Sequence, residues 1–287
     1  MPSLEKSIDA REPLPSAMDN ISKHLVNARM SAHPLPQFPG ELPGTLSEAY
    51  SIQSASVSRW PDQVSGWKVG GIPHELRESL GAPRLAGPIY RSSVHKVKPG
   101  EEKSMRIFDG GFAAVEAEFV FELAETIKPI EREYSDATLI DVVSALHIGA
   151  EIASSPMADI NRIGPVCVVC DFGNNNGLLV GPSIPDWDKQ PPADLTARVC
   201  VDGIEVGRAS ADTVEGGLLQ SLRFLITLSA QRGVTLHAGT FVSCGALTGI
   251  HDVTTASKAD VDFGAFGAFK VRFEAVQPRP DHSPLRT

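Results

Sequence analysis

The chain has 287 residues, 42% of them hydrophobic and 21% charged, with a formal net charge of −9. That content can bury a large core in one domain or two, while the acidic balance and the lack of any Lys/Arg cluster argue against nucleic acid and anionic membrane surfaces as partners. No basic segment followed by an apolar stretch opens the chain, and no window approaches 18 uninterrupted apolar residues, so a cytoplasmic protein without a membrane partner is expected.

Residues 1 to about 45 hold Pro2, Pro13, Pro15, Pro34, Pro36, Pro39 and Pro43 around one helical candidate, Ala17 to Met30. This pattern reads as a mobile leader, a helix and a proline-rich connection. Thr45 followed by Glu48 then marks a capped helix start. From Gly66 onward short β-rich runs alternate with Gly and Pro turns: Trp67 to Gly70, Ala114 to Leu123, Pro165 to Cys170, Gly177 to Val180, Leu195 to Val201, Thr240 to Cys244 and Phe269 to Glu274. Helical spacing predicts two interruptions. One runs from Asp136 to His147 on Leu139, Ile140, Val143 and Leu146, with His147 in the core; the other runs from Glu215 to Arg232, stopped by Gly233.

Within the run from Ala114, Glu116 and Glu118 sit one residue apart. In a strand Val115, Ala117, Phe119 and Phe121 face the core and both carboxylates face the other way, roughly 6.5 to 7 Å apart at the backbone. A half-exposed strand whose glutamates meet water is the alternative. Glu151, stranded in the apolar run Leu146 to Ala153, shifts the balance, because charged side chains are almost never buried without a partner. Three glutamates form a candidate all-oxygen site for Mg²⁺ or Mn²⁺ rather than zinc. The cysteines, Cys167, Cys170, Cys200 and Cys244, are too scattered for a disulfide framework. Cys167 and Cys170 would point to opposite faces of a strand and read as core residues.

The α+β pattern, with residues 1–60 as leader and helical segment and 61–280 as the main domain, resembles the fumarylacetoacetate hydrolase superfamily. Within it the chain is similar to the 2-oxopent-4-enoate hydratase and 4-oxalocrotonate decarboxylase branch. The resemblance rests on Ala49 to Gln53, Gly66 to Gly70, Val115 to Glu118, Ala150 to Ile152, Asn176 to Gly181, Ser243 to Thr248 and Val261 to Gly267, seven stretches in order. It implies a mixed β-roll with peripheral helices and a helical N-terminal segment, a Mg²⁺ or Mn²⁺ ion at Glu116, Glu118 and Glu151, and a homodimer or larger homo-oligomer. It also implies a small anionic 2-oxo acid substrate that chelates the ion, so that charge building on the C2 oxygen is stabilised.

The same resemblance gives Lys68 a catalytic role, with its proton affinity lowered beside a metal; by spacing alone it is an ordinary strand-end lysine. It implies substrate contacts from Gly70, Asn176, Gly245 and Thr248, with His251 near the same turn. Where hydratase relatives carry an aspartate, this chain has Leu85. His74 and Glu78, at i and i+4 of a short helix, match a water-activating pair of the acylpyruvate-hydrolase branch. The leading expectation is a metal-dependent hydro-lyase that hydrates a 2-hydroxy-2,4-dienoate to a 4-hydroxy-2-oxo acid in aromatic catabolism. The alternatives are a C–C hydrolase using His74 and a glutamate, a 2-oxo acid decarboxylase, and a non-catalytic binding protein on the same fold.

Overall fold

The computed structural model describes residues 14–279. The start of the expected leader, residues 1–13, and the last residues, 280–287, lie outside the described residues. Helix α1 (Ser16–Ser31) covers the predicted segment, and α2 (Leu46–Arg59) opens on a complete capping box between Thr45 and Glu48. The two helices pack through a hydroxyl contact, Ser56 Oγ donating to Ser22 Oγ at 2.9 Å. Their apolar faces (Ile21, Leu25, Ala49, Ile52) share one buried cluster with Ile72, Leu85 and Val169.

The chain then runs through β1 (Val64–Gly71), α3 (His74–Leu80), β2 (Arg84–Tyr90), β3 (Val94–Lys96), β4 (Glu102–Ile107) and β5 (Phe112–Leu123). It continues through α4 (Asp136–Asp141), β6 (Val143–Ser155), α5 (Ile160–Ile163), α6 (Pro165–Cys170), β7 (Asn175–Ser183), β8 (Thr196–Val201) and β9 (Ile204–Ser210). After α7 (Leu219–Arg232) come β10 (Phe241–Ser243), β11 (His251–Asp252), β12 (Lys258–Asp262) and β13 (Ala268–Ala275).

One mixed sheet has the order β2-β1-β10-β5-β6-β7-β3 with β11 paired to β5; the second has the order β4-β13-β12-β8-β9. Val115, Ala117, Phe119 and Phe121 of β5 face the second sheet and pack with Met105, Ile107, Phe263, Phe269 and Phe273. Phe119 meets Phe263 edge-on at 5.4 Å. Burying each such ring stabilises the fold by about 2–3 kcal/mol. This is the mixed β-roll with peripheral helices, and it leaves the opposite face of β5 to the glutamates.

Two predicted elements are corrected. The helix expected over 136–147 stops after six residues, and Val143–Ser155 is a strand paired with β5 along its length. The apolar positions fit both periods, and thirteen residues of ladder outweigh a weak helical preference. His147 is therefore a strand residue, its ring nitrogens on Gly181 O at 3.0 Å and Glu122 Oε2 at 3.2 Å. Conversely, Pro165–Cys170 is a helix, not a strand. Pro165 occupies its first turn, and burial on all sides removes the alternation that separates the two readings. Cys167 and Cys170 are buried and free, as core residues should be, and burial followed by the nearby Asp171 pushes Cys170 up to about 12. Helix α7 starts later than expected because Gly216 and Gly217 take φ of 74° and 76°, which no helix accommodates.

A buried ion pair ties α1 to the sheet. Arg29, 3% exposed, holds Asp171 through Nε to Oδ1 at 2.5 Å and Nη2 to Oδ2 at 2.9 Å. It also donates to the carbonyls of Ser154 and Asn175, each at 3.0 Å, and lies over the Phe172 ring at 5.3 Å.

Candidate metal centre

The β5–β6 ladder places Glu116 directly opposite Glu151, and Glu118 opposite Gly149. Side chains paired this way stand about 4.5–5.5 Å apart at Cβ, and like charges so placed repel. Glu116, Glu118 and Glu151 each bring one carboxylate oxygen within 4.8 Å of the others. Their exposures are 4%, 0% and 0%, so water does not screen the repulsion.

Hydrogen bonds orient two of the carboxylates. Glu118 Oε2 accepts from Ser243 Oγ and from the Gly245 N–H, the latter at 2.9 Å. Glu151 Oε1 accepts from Asn175 Nδ2 at 2.9 Å. The remaining oxygens, Glu118 Oε1 and Glu151 Oε2, are buried without a hydrogen-bond donor. An unpaired buried anionic oxygen is costly. Lys68 offers the nearby positive charge, its Nζ 3.4 Å from Glu151 Oε2.

One ammonium does not balance three carboxylates, and the proton affinities record the deficit. Burial, then Glu151, pushes Glu116 up to about 7. Burial, then Glu151 and Glu116, holds Glu118 well above the usual carboxylate range. The idle oxygens and excess negative charge fit a hard divalent cation such as Mg²⁺ or Mn²⁺, with all-oxygen ligands. In the cation-free chain burial works against the Lys68 ammonium, but Glu151, Glu116 and Glu118 outweigh it and raise its proton affinity above the ordinary lysine value; the lowering expected from the sequence belongs to the cation-loaded site.

The other predicted residues fall at several distances from this cluster. Gly70, on the Lys68 strand, would set a Cβ 3.5 Å from the Lys68 ammonium. Gly245 has φ 104° and would set one 2.9 Å from Val69 O, so a glycine is required there, and its N–H serves Glu118. Thr248 Oγ1 engages His251 Nε2 at 3.0 Å. Asn176 faces away, donating to Arg106 O at 2.6 Å; its neighbour Asn175 reaches the cluster. His74 and Glu78 lie on α3, which buries no residue, and neither bonds to the carboxylates among the described residues. Leu85 is buried and apolar, 4% exposed. Ser243 and Asn175 were missed, although both lie in or beside stretches that stood out in the sequence; the register that aims them is long-range.

The comparisons bear on this arrangement. Curated relatives include a 4-oxalocrotonate decarboxylase of Pseudomonas putida, 23% identical over 270 residues and covering 88% of this chain and 95% of the relative. Another, of a Pseudomonas species, is 26% identical over 238 residues, covering 80% and 88%. Among solved structures, the 4-oxalocrotonate decarboxylase of Pseudomonas putida G7 complexed with magnesium and adipate has a TM-score of 0.75 at 20% identity, covering 92% of this chain and all of that one. The fumarylpyruvate hydrolase of Pseudomonas aeruginosa, in complex with Mn²⁺ and pyruvate, has a TM-score of 0.54 at 15% identity over 76% of this chain and 91% of its own. No family model matches the chain. Among the described residues, no helix is long and apolar enough to cross a membrane.

Proposed function

We propose, from the premise that this chain belongs to the fumarylacetoacetate hydrolase superfamily, as its relatives and fold together support, that it is a divalent-metal-dependent decarboxylase of a conjugated 2-oxo dicarboxylate of the 4-oxalocrotonate class. The observation that supports the reading is the convergence of three buried carboxylates in which Glu118 Oε1 has no partner and Glu151 Oε2 meets only the Lys68 ammonium. Glu116, Glu118 and Glu151 would hold Mg²⁺ or Mn²⁺. When bound, the cation supplies positive charge to the C2 oxygen of a 2-oxo acid, where the electron pair released by carbon dioxide loss comes to rest.

The chain's own residues do the remaining work. Ser243, Gly245 and Asn175 fix the carboxylates before substrate arrives, so no reorganisation is needed later. Lys68, its Nζ 3.4 Å from Glu151 Oε2, is placed to attract the substrate carboxylate and to return a proton to carbon after the C–C bond breaks. Its stem lies against Gly173, where a Cβ would come within 3.2 Å of Lys68 Cδ, so the lysine is held by packing as well as by charge. Hydration requires a group that activates water, and Leu85 supplies none where hydratase relatives have an acid. Hydrolysis through His74 and Glu78 has no support from the exposed α3.

The test is product analysis with 4-oxalocrotonate, a 2-hydroxydienoate and an acylpyruvate, each with Mn²⁺ and with chelator. Metal-dependent carbon dioxide release from the first is expected, with a loss of at least about 100-fold in Lys68→Met and none in His74→Ala. Conversion of the dienoate alone would restore the hydratase reading; acylpyruvate cleavage that His74→Ala abolishes would restore the hydrolase.

A further inference from the structure

A second site lies across β7 from the carboxylates. Neighbouring strand residues point to opposite faces: Asn175 sends its amide to Glu151, and Asn176 sends its own to Arg106 O on the far side. There a cavity of about 600 Å³ opens between α1, β3, β4 and β13, a size that takes a small organic ligand.

Its charge is unlike that of the rest of the chain. Arg29 in its wall is neutralised by Asp171. Lys103, Arg106 and Arg279 also line it, and none of the three forms an ion pair among the described residues; Arg279 instead stands over the Trp60 ring at 4.7 Å. Glu274 is the single acidic side chain among the described lining residues. Asp62, held by Ser92 at the edge of the cavity, offsets part of the Arg279 charge, so within a protein of net charge −9 it is Lys103 and Arg106 that stand without an acidic partner among the described residues. Burial, then Lys103 and Arg106, lowers the proton affinity of His95 in the same wall, the response expected in a positive field.

Hydrogen bonding points the same way. The Tyr90 hydroxyl and the Trp60 indole N–H are buried at this wall with no hydrogen-bond partner. Tyr90 is only 7% exposed. Buried donors left idle are rare, and these two, closed to water in the ligand-free wall, would meet an acceptor once a ligand displaced the side chains around them.

We propose that this cavity binds a small polyanion, a phosphorylated or multiply carboxylated metabolite, whose oxygens meet Lys103, Arg106 and Arg279 and accept from Tyr90 and Trp60. The cavity adjoins the metal centre through Asn175, which lines it while its amide holds Glu151, but the proposal does not rest on the reaction proposed there.

Calorimetric titration of the full chain, stripped of metal and then dialysed free of chelator so that the metal centre is silent, tests it with inorganic pyrophosphate and with citrate at low salt. Binding of at least one probe is expected, and which one binds identifies the phosphate or carboxylate class. Lys103→Ala with Arg106→Ala should weaken it at least about tenfold, and Lys68→Met should leave it unchanged. Tyr90→Phe should weaken it several-fold without lowering the thermal stability of the ligand-free protein, because that hydroxyl bonds to nothing there. No binding of either probe, binding that survives the double substitution, or an equal loss in Lys68→Met overturns the assignment.

Discussion

Adding a divalent cation should stabilise this protein far more at pH 8 than at pH 5.5, and the buried carboxylates give the reason and the size. In the cation-free chain Glu116 is raised from 4.5 to about 7. A carboxyl raised on folding favours the folded state fully below its unfolded value, and that contribution disappears as pH climbs through the folded value. Each pKa unit corresponds to about 1.4 kcal/mol, so Glu116 alone removes about 3 kcal/mol between roughly pH 4.5 and 7. A bound cation occupies the place of those protons, so its stabilisation grows over the same window. Saturation at about 100 times its dissociation constant adds about 2.7 kcal/mol, or roughly 4–5 °C in Tm for a chain of this size. The quantity to measure is the Mn²⁺-induced rise in Tm against chelator at each pH. Glu116→Gln should abolish the rise while making the cation-free protein about 1–3 kcal/mol more stable at pH 8, since it removes a buried charge. An equal rise at both pH values, or a rise that survives Glu116→Gln, would refute the reasoning.

Other substitutions probe the frame around the site. Arg29→Ala leaves Asp171 buried without its cation and should cost about 3–5 kcal/mol in urea unfolding; a loss below about 1 kcal/mol would mean that the pair only breaks even. Gly87→Ala forces a Cβ to within 2.2 Å of Phe172 O beside Lys68 and should cost roughly 2–4 kcal/mol, read from the same transition. Thr45→Ala removes the capping box of α2 and should cost about 0.5–2 kcal/mol with activity unchanged.

Much of the metal centre was legible because its ligands break a local rule: Glu116, Glu118 and Glu151 are charges inside apolar runs, and strand alternation alone places the first two on one face. The partner strand was harder. Leu139, Ile140, Val143 and Leu146 satisfy helical spacing, and only pairing with β5, some 30 residues earlier, decides that Val143 onward is a strand. Pro165–Cys170 failed in the other direction, since a segment buried all round has no periodicity to read. Asn175 and Ser243 depend on where distant strands stop against each other, and the raised proton affinity of Lys68 depends on three charges that no local window contains. Helix α1, through its apolar face, and α2, through its capping box, were readable because both signals are local.

All three glutamates belong to β5 and β6, two long adjacent strands whose register is unbroken from Phe112 opposite Ser155 to Glu122 opposite Ala145. Slipping that pairing by one step would turn either Glu116 and Glu118 or Glu151 into the phenylalanine layer and break up the cluster. The cation seat is thus written into backbone pairing, while the turns that would meet a substrate's far end hang from other strands. Such a division lets natural drift or a protein engineer exchange the outer loops for new molecules without rebuilding the electrophile.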